Sequence, residues 1–156
     1  MIWIRDLPLG LLCAALLYAA WGDLRTRTIP NALNAAIALA APLWWLTSGH
    51  AVWPDMAIQI GMAAGLFTLF ALVFMLGAMG GGDVKLIAAI ALWLPPFAML
   101  SMLQVMAIAG GLLTLIMLVV HKRRRAPGRP EIPYGVAIAG ATLWVVANDI
   151  LTALRH

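Results

Sequence analysis

Residues 77–86 read GAMGGGDVKL, three consecutive glycines followed by an aspartate and a lysine, set in otherwise almost continuous hydrocarbon. Apolar residues dominate 53–76 before this stretch and 84–94 after it. Across the whole chain, 64% of the 156 residues are hydrophobic and 10% charged, with a mean hydropathy of +0.98. A soluble domain carries about a quarter charged residues and under half apolar ones. Folded in water, this composition leaves large apolar patches exposed, so a bilayer is the expected solvent. The stretch then marks a boundary between two membrane segments, with an acid placed at it.

Working outward, apolar runs occupy 7–21, 32–47, 53–76, 84–94, 97–120 and 134–154. A span takes about 20 residues, which the third, fifth and sixth runs supply outright and the first two reach by tolerating residues at their ends. The fourth run is stopped or kinked by Pro95-Pro96 after about 16 Å of helical rise. It either continues as a kinked span or remains a half-helix sheltered by its neighbours. The expected fold is therefore all-α: a polytopic membrane protein of six helices, the fourth short or kinked, forming one domain over residues 1–156. The first run is not read as a cleaved signal peptide, because its arginines follow the apolar run instead of preceding it.

Charge orients the spans. If they alternate, the loops around 22–31, 78–85 and 121–133 share one side and hold Arg25, Arg27, Lys85, Lys122, Arg123, Arg124, Arg125 and Arg129, eight of the ten basic residues. The positive-inside rule makes that side cytoplasmic and puts both termini outside. Trp3, Trp44, Trp45, Trp53 and Trp93 then gather at the outer boundary as an aromatic belt. The net charge of +4 is a matter of loops and not of an aromatic-interleaved basic face, so no nucleic-acid partner is expected. His50, His121 and His156 do not converge and Cys13 stands alone, so neither a metal site, a disulfide nor any other cofactor is expected.

Of the six acids, Asp6, Asp55 and Asp149 fall on the outer side and Glu131 in the basic loop. Asp23 and Asp83 remain, both at cytoplasmic helix boundaries although 60 residues apart. Ionisable groups at a span end are functional candidates. Two carboxylates sharing a site resist ionising together, so one is free to take a proton from water while the other donates a hydrogen bond to a carbonyl. The proton belongs to the pair, and sequence does not assign the base. Gly80, Gly81 and Gly82 are expected to let the backbone bend before Asp83 and to admit a substrate backbone. Lys85 is placed to balance the charge of Asp83 or to grip a phosphate head group. Plainer readings stand beside these: Asp83 as a helix N-cap, Asp23 as a juxtamembrane charge paired with Arg25 or Arg27, the Gly61–Gly65 GxxxG as helix packing, and Gln104 as an interhelical hydrogen bond.

Three motifs carry a resemblance. GGGD at 80–83 has the GxGD form of intramembrane-type aspartyl proteases, and GGGDVKL resembles the version found in type IV prepilin peptidases. DLRTRTIPN, Asp23 to Asn31, is similar to that family's first catalytic stretch: an aspartate, a basic residue two on (Arg25), then Ile-Pro-Asn with Pro30 and Asn31 opening the next helix. PYGVAIAG resembles the entrance to its last helix, with Pro133 and Gly135. The resemblance implies catalytic roles for Asp23 and Asp83. It also implies removal of the short leader from prepilins or pseudopilins, substrates with a hydrophobic N-terminal helix, at the cytoplasmic face of a bacterial inner membrane among its lipids. The compact length is similar to the short peptidases of Flp pilus (Tad) systems. With one cysteine there are no paired CxxC motifs, so the methyltransferase activity of larger members is not expected. Presenilin-like proteases pair GxGD with a Tyr-Asp dipeptide that is missing here. The competing classes are a proton-coupled transporter or channel subunit, which more often places acids near the bilayer midplane, and a non-enzymatic pilus-assembly scaffold.

Overall fold

A computed structural model describes residues 2–124 and 132–153, with side chains from Leu7 to Thr152. Arg125, Arg129, Glu131, Arg155 and His156 lie outside the described residues, as do the side chains of Trp3, Arg5 and Asp6. Six α-helices follow in order: α1 (Ile2–Thr26), α2 (Asn31–Ser48), α3 (Ala57–Met75), α4 (Gly81–Ala91), α5 (Pro96–Arg124) and α6 (Tyr134–Ala153). A short helical turn, Val52–Met56, leads into α3.

The breaks follow from the residues that sit at them. Arg27 ends α1 in the left-handed region at φ 55°, its amide returning to the Asp23 carbonyl at 3.1 Å. Pro30 is extended at the start of α2, as its ring favours just before a first helical turn. Gly49 and Gly77 take φ of 75° and 73° beyond α2 and α3, a conformation that glycine adopts without Cβ strain. Gly80 is extended before α4, and Pro96 begins α5, where its missing N–H costs nothing.

The short helix is the centre of the molecule. Seven of the eleven residues of α4 are buried, and α2, α3 and α6 all pack against it. α1 packs on α2 and α6, and α5 runs along α6. The core accordingly runs through Leu12 and Leu16 of α1, Leu86, Ile87 and Ile90 of α4, Met99 and Met102 of α5 and Ile138 of α6. Outward faces of α3 and α5 carry exposed Leu69, Leu72, Ile108, Leu112 and Leu115, the surface a bilayer covers.

Among the described residues, four helices are long and apolar enough to cross a membrane: Leu7–Thr26, Val52–Met75, Pro96–Arg124 and Tyr134–Thr152. α2 and α4 are not among them. The chain does not carry on through the double proline as one kinked span; α4 stops, about half a hydrocarbon core in length, and shelters behind its neighbours. Three further expectations change. Trp45 and Trp93 do not face lipid: both are buried, and their indole N–H groups donate to the carbonyls of Leu92 (2.7 Å) and Ile37 (3.0 Å). Trp44 stacks on Trp93. Gly61 and Gly65 face away from the bundle, where a Cβ on either would meet no other element within 4 Å, because α3 turns Ala63 and Gln59 inward instead. Gln104 is likewise exposed.

Candidate active site

α1 delivers Asp23 in its last turn, and α4 presents Asp83 in its first. The two carboxylates, only 5% and 8% exposed, come together at one end of the bundle, close enough for Asp83 to feel the charge of Asp23. Each is held against a helix start. The amide of Val136, in the first turn of α6, donates to Asp23 Oδ2 at 3.3 Å. Asp83, third in its helix, turns back toward the amide of Gly80, so the N-cap position belongs to Gly80 and Asp83 fills the reciprocal role. Helix N-termini favour anionic oxygen at such positions.

The glycines turn out to provide room. Gly80, Gly81 and Gly82 do not adopt positive φ, which occurs at Gly77 instead. A Cβ on Gly80 would lie 3.0 Å from Asp83 Oδ2, and one on Gly82 would lie 3.2 Å from Ile29 Cβ. Gly81 has only ordinary space beside the Phe74 ring. Gly135 is tighter still: its Cβ would stand 2.8 Å from Ile29 Cδ1 and 2.9 Å from Asp23 Oδ2. Thus each carboxylate occupies space freed by one glycine at a helix entrance, Gly80 for Asp83 and Gly135 for Asp23. Pro133, buried before α6, accepts the Val136 amide at 3.3 Å as well and sets that entrance.

The remaining motif residues divide. Asn31 at the start of α2 accepts from Lys85 Nζ through Oδ1 at 2.8 Å, so Lys85 bridges α4 to α2. The pair heads a groove of about 340 Å³ lined by alanines of α2, α3 and α4. Pro30 caps α2 and is exposed. Arg25 points away, its guanidinium 4.6 Å above the Trp21 ring. Arg27, not Arg25, acts electrostatically on Asp23, with Nη1 buried and without a hydrogen-bond partner. Asn34 was missed in the sequence. It is buried on α2 and donates through Nδ2 to the Gly82 carbonyl at 3.0 Å, bracing the glycine turn. A lone amide three residues after Asn31, inside an apolar run, was the available signal.

The model of the type IV leader peptidase family matches residues 10–116, which include both aspartates. The chain belongs to that family. It is 29% identical to a prepilin leader peptidase/N-methyltransferase of Xanthomonas campestris pv. campestris, with 83% of this chain and 46% of the relative covered. Similarity to proteins of the same description in Burkholderia pseudomallei strains 1026b and K96243 is also 29%, covering 85% of the chain and 44% of each relative. The family member described here thus spans about half the length of these relatives. No solved structure matches it.

Proposed function

We propose that the chain is one membrane peptidase unit, an aspartic endopeptidase that removes the leader of a prepilin, of the Flp (Tad) type, at the cytoplasmic face of a bacterial inner membrane. The observation that carries this reading is the meeting of Asp23 and Asp83, buried, from two helices distant in sequence, each steadied by a backbone amide at a helix start. In the proposed reaction one carboxylate takes a proton from water while the protonated partner donates to the scissile carbonyl. Hydroxide adds to carbon, and the tetrahedral intermediate collapses as the amide nitrogen is protonated and leaves. The proton is shared by the pair throughout.

The cytoplasmic assignment follows charge. Thr114 meets the Tyr134 hydroxyl at 3.1 Å at the entrance to α6, and α5 continues from there for ten more residues, about 15 Å, to finish in His121, Lys122, Arg123 and Arg124. The basic end of the longest helix therefore projects on the side where the aspartates lie, as the positive-inside rule requires of a cytoplasmic site. A prepilin with one embedded helix would present its cleavage point at this depth. The family relationship sets the transporter and scaffold readings behind this one.

The test is prepilin processing in membranes, with Flp-type and other type IV prepilins co-expressed and the size shift read. Wild type is expected to cleave, and Asp23→Asn and Asp83→Asn to abolish cleavage at matched insertion. Cleavage close to the wild-type level in either variant would overturn the site assignment.

A further inference from the structure

At the opposite end of the bundle, the close of α2, the turn into α3 and the Pro95-Pro96 corner enclose a cleft of about 240 Å³ lined by Ser48, His50, Asp55 and Gln59. Its floor is anomalous. Gln59 is 2% exposed, yet neither its Oε1 nor its Nε2 has a hydrogen-bond partner. Buried carboxamides left wholly unpaired are rare in folded proteins, and this residue lines the cleft, into which a turn of its side chain would bring the carboxamide.

The rim fixes what kind of ligand. Ser48 Oγ bonds to the Trp44 carbonyl and lies 2.6 Å from His50 Nδ1. A carbonyl only accepts and the hydroxyl has a single proton, so Ser48 donates to Trp44 and accepts from His50 Nδ1–H. Nε2 is then the ring's open position, an acceptor when the ring carries a single proton. Asp55 takes the Ala51 amide at 3.0 Å through Oδ2, which leaves its carboxylate with acceptor capacity and a negative charge. The cleft therefore offers three acceptors, one of them anionic, and a single buried donor, Gln59 Nε2.

We propose that this cleft binds the head group of an ethanolamine phospholipid. A primary ammonium carries three N–H donors and a positive charge for His50 Nε2, Asp55 and Gln59 Oε1, and the phosphate two carbons away accepts from Gln59 Nε2. One ligand thereby pairs both atoms of the orphaned carboxamide, which a bare cation does not. Location selects the lipid over a soluble amine. The cleft lies where α2 ends and the membrane-length segment Val52–Met75 begins, beside the exposed side chains of Val52 and Trp53, a residue pair suited to the interface where head groups are concentrated. The inference does not depend on the peptidase reading.

The purified chain is reconstituted in nanodiscs of phosphatidylethanolamine or of phosphatidylcholine with the same acyl chains. The second lipid keeps the charge but has no N–H. Wild type is expected to melt about 3 °C or more higher in the ethanolamine lipid, as selective binding to the folded state requires, and to retain that lipid in native mass spectrometry. The double variant Gln59→Leu plus Asp55→Asn is expected to lose both the difference and the retained lipid, whatever its absolute midpoint. Equal midpoints for wild type in the two lipids would overturn the proposal. So would a difference that persists in the double variant, which would assign it to the bilayer. A shift reproduced in phosphatidylcholine by free ethanolamine or by Zn²⁺ alone would equally overturn it, since the cleft would then take the cation and not the lipid.

Discussion

At the aspartate end, helix starts are tied to their neighbours: the Gly82 carbonyl takes Asn34, the Val136 amide takes Asp23, and Lys85 takes Asn31. The far end shows both treatments within a few residues. Trp45 and Trp93 satisfy the Leu92 and Ile37 carbonyls, while Gln59 is buried with nothing. The difference separates two kinds of buried polar group. Paired groups fix backbone positions; the unpaired ones, Gln59 and Trp44 Nε1 at this end and Arg27 Nη1 and Asn34 Oδ1 at the other, do not. Asp23 and Asp83 are anchored through backbone amides yet brought together as two acids, the pair on which water and substrate act in the proposed reaction. The largest expected effect follows from that. Asp23→Asn and Asp83→Asn should each lower prepilin cleavage by at least about a hundredfold, the scale of lost general acid–base catalysis. Gln59→Leu at the far end should leave cleavage unchanged, and assay of all three at matched membrane levels measures the contrast.

A finer probe is Gly135→Ala. The added methyl meets Ile29 Cδ1 and Asp23 Oδ2, both ends of movable side chains, so the fold can yield where the carboxylate must shift. Displacement of a catalytic group by around 1 Å can cost about a hundredfold in rate, whereas the overpacking itself should cost about 1–3 kcal/mol. Activity is therefore expected to fall by about 10- to 100-fold while the protein still inserts. Gly61→Ala, on the outward face of α3, should change neither. Equal activity in the two variants would mean that Gly135 does not set the position of Asp23.

How much of this was legible follows the same division. Composition and hydrophobic runs gave an all-helical membrane chain, and the glycine, proline and aspartate positions gave the helix ends at the site. The local rules mislead wherever a residue's partner is remote. Trp45 and Trp93 read as lipid-interface residues because indoles suit that depth, but a short α4 leaves carbonyls at its end that need donors, and the Trp45 indole supplies one at Leu92, while Trp93, just past α4, donates to the Ile37 carbonyl of α2. The glycine run reads as a bend, since φ is the local property of glycine. Part of its use here, the room that Gly82 leaves for Ile29, depends on remote chain that precedes α2. Arg25 and Arg27 are indistinguishable by spacing until the left-handed turn at Arg27 sends one toward Trp21 and the other toward Asp23. The reading of the fourth run meets a similar limit: α4 is apolar because it is buried among other helices, which hydropathy alone does not separate from burial in lipid.

Asn34→Ala tests whether the brace on the glycine turn matters to the aspartates or only to the fold. It removes the donor to the Gly82 carbonyl, a buried acceptor, at a cost of about 1–3 kcal/mol. If the turn positions Asp83, cleavage should fall several-fold at temperatures where the variant remains folded, with kcat affected more than KM. A thermal midpoint lowered with kcat intact would confine Asn34 to structure. Trp45→Phe provides the counterpart at the far end, where loss of the donor to Leu92 should lower stability by a similar amount without touching kcat.

The smallest effect is expected at Lys85. Its ammonium is exposed, and its hydrogen bond to Asn31 is open to water, so Lys85→Gln should change stability by no more than about 0.5 kcal/mol. Lys85 and Asp83 project from different sides of α4, the one toward the alanine-lined groove and the other toward Asp23. On that geometry Lys85 does not take part in the chemistry, and kcat should be unaffected. An altered KM with unchanged kcat would show that the groove beside Lys85 contacts the substrate, since uniform binding appears in KM alone. A loss in kcat comparable to that of Asn34→Ala would instead carry Lys85 into the catalytic set and break the separation between the two faces of α4.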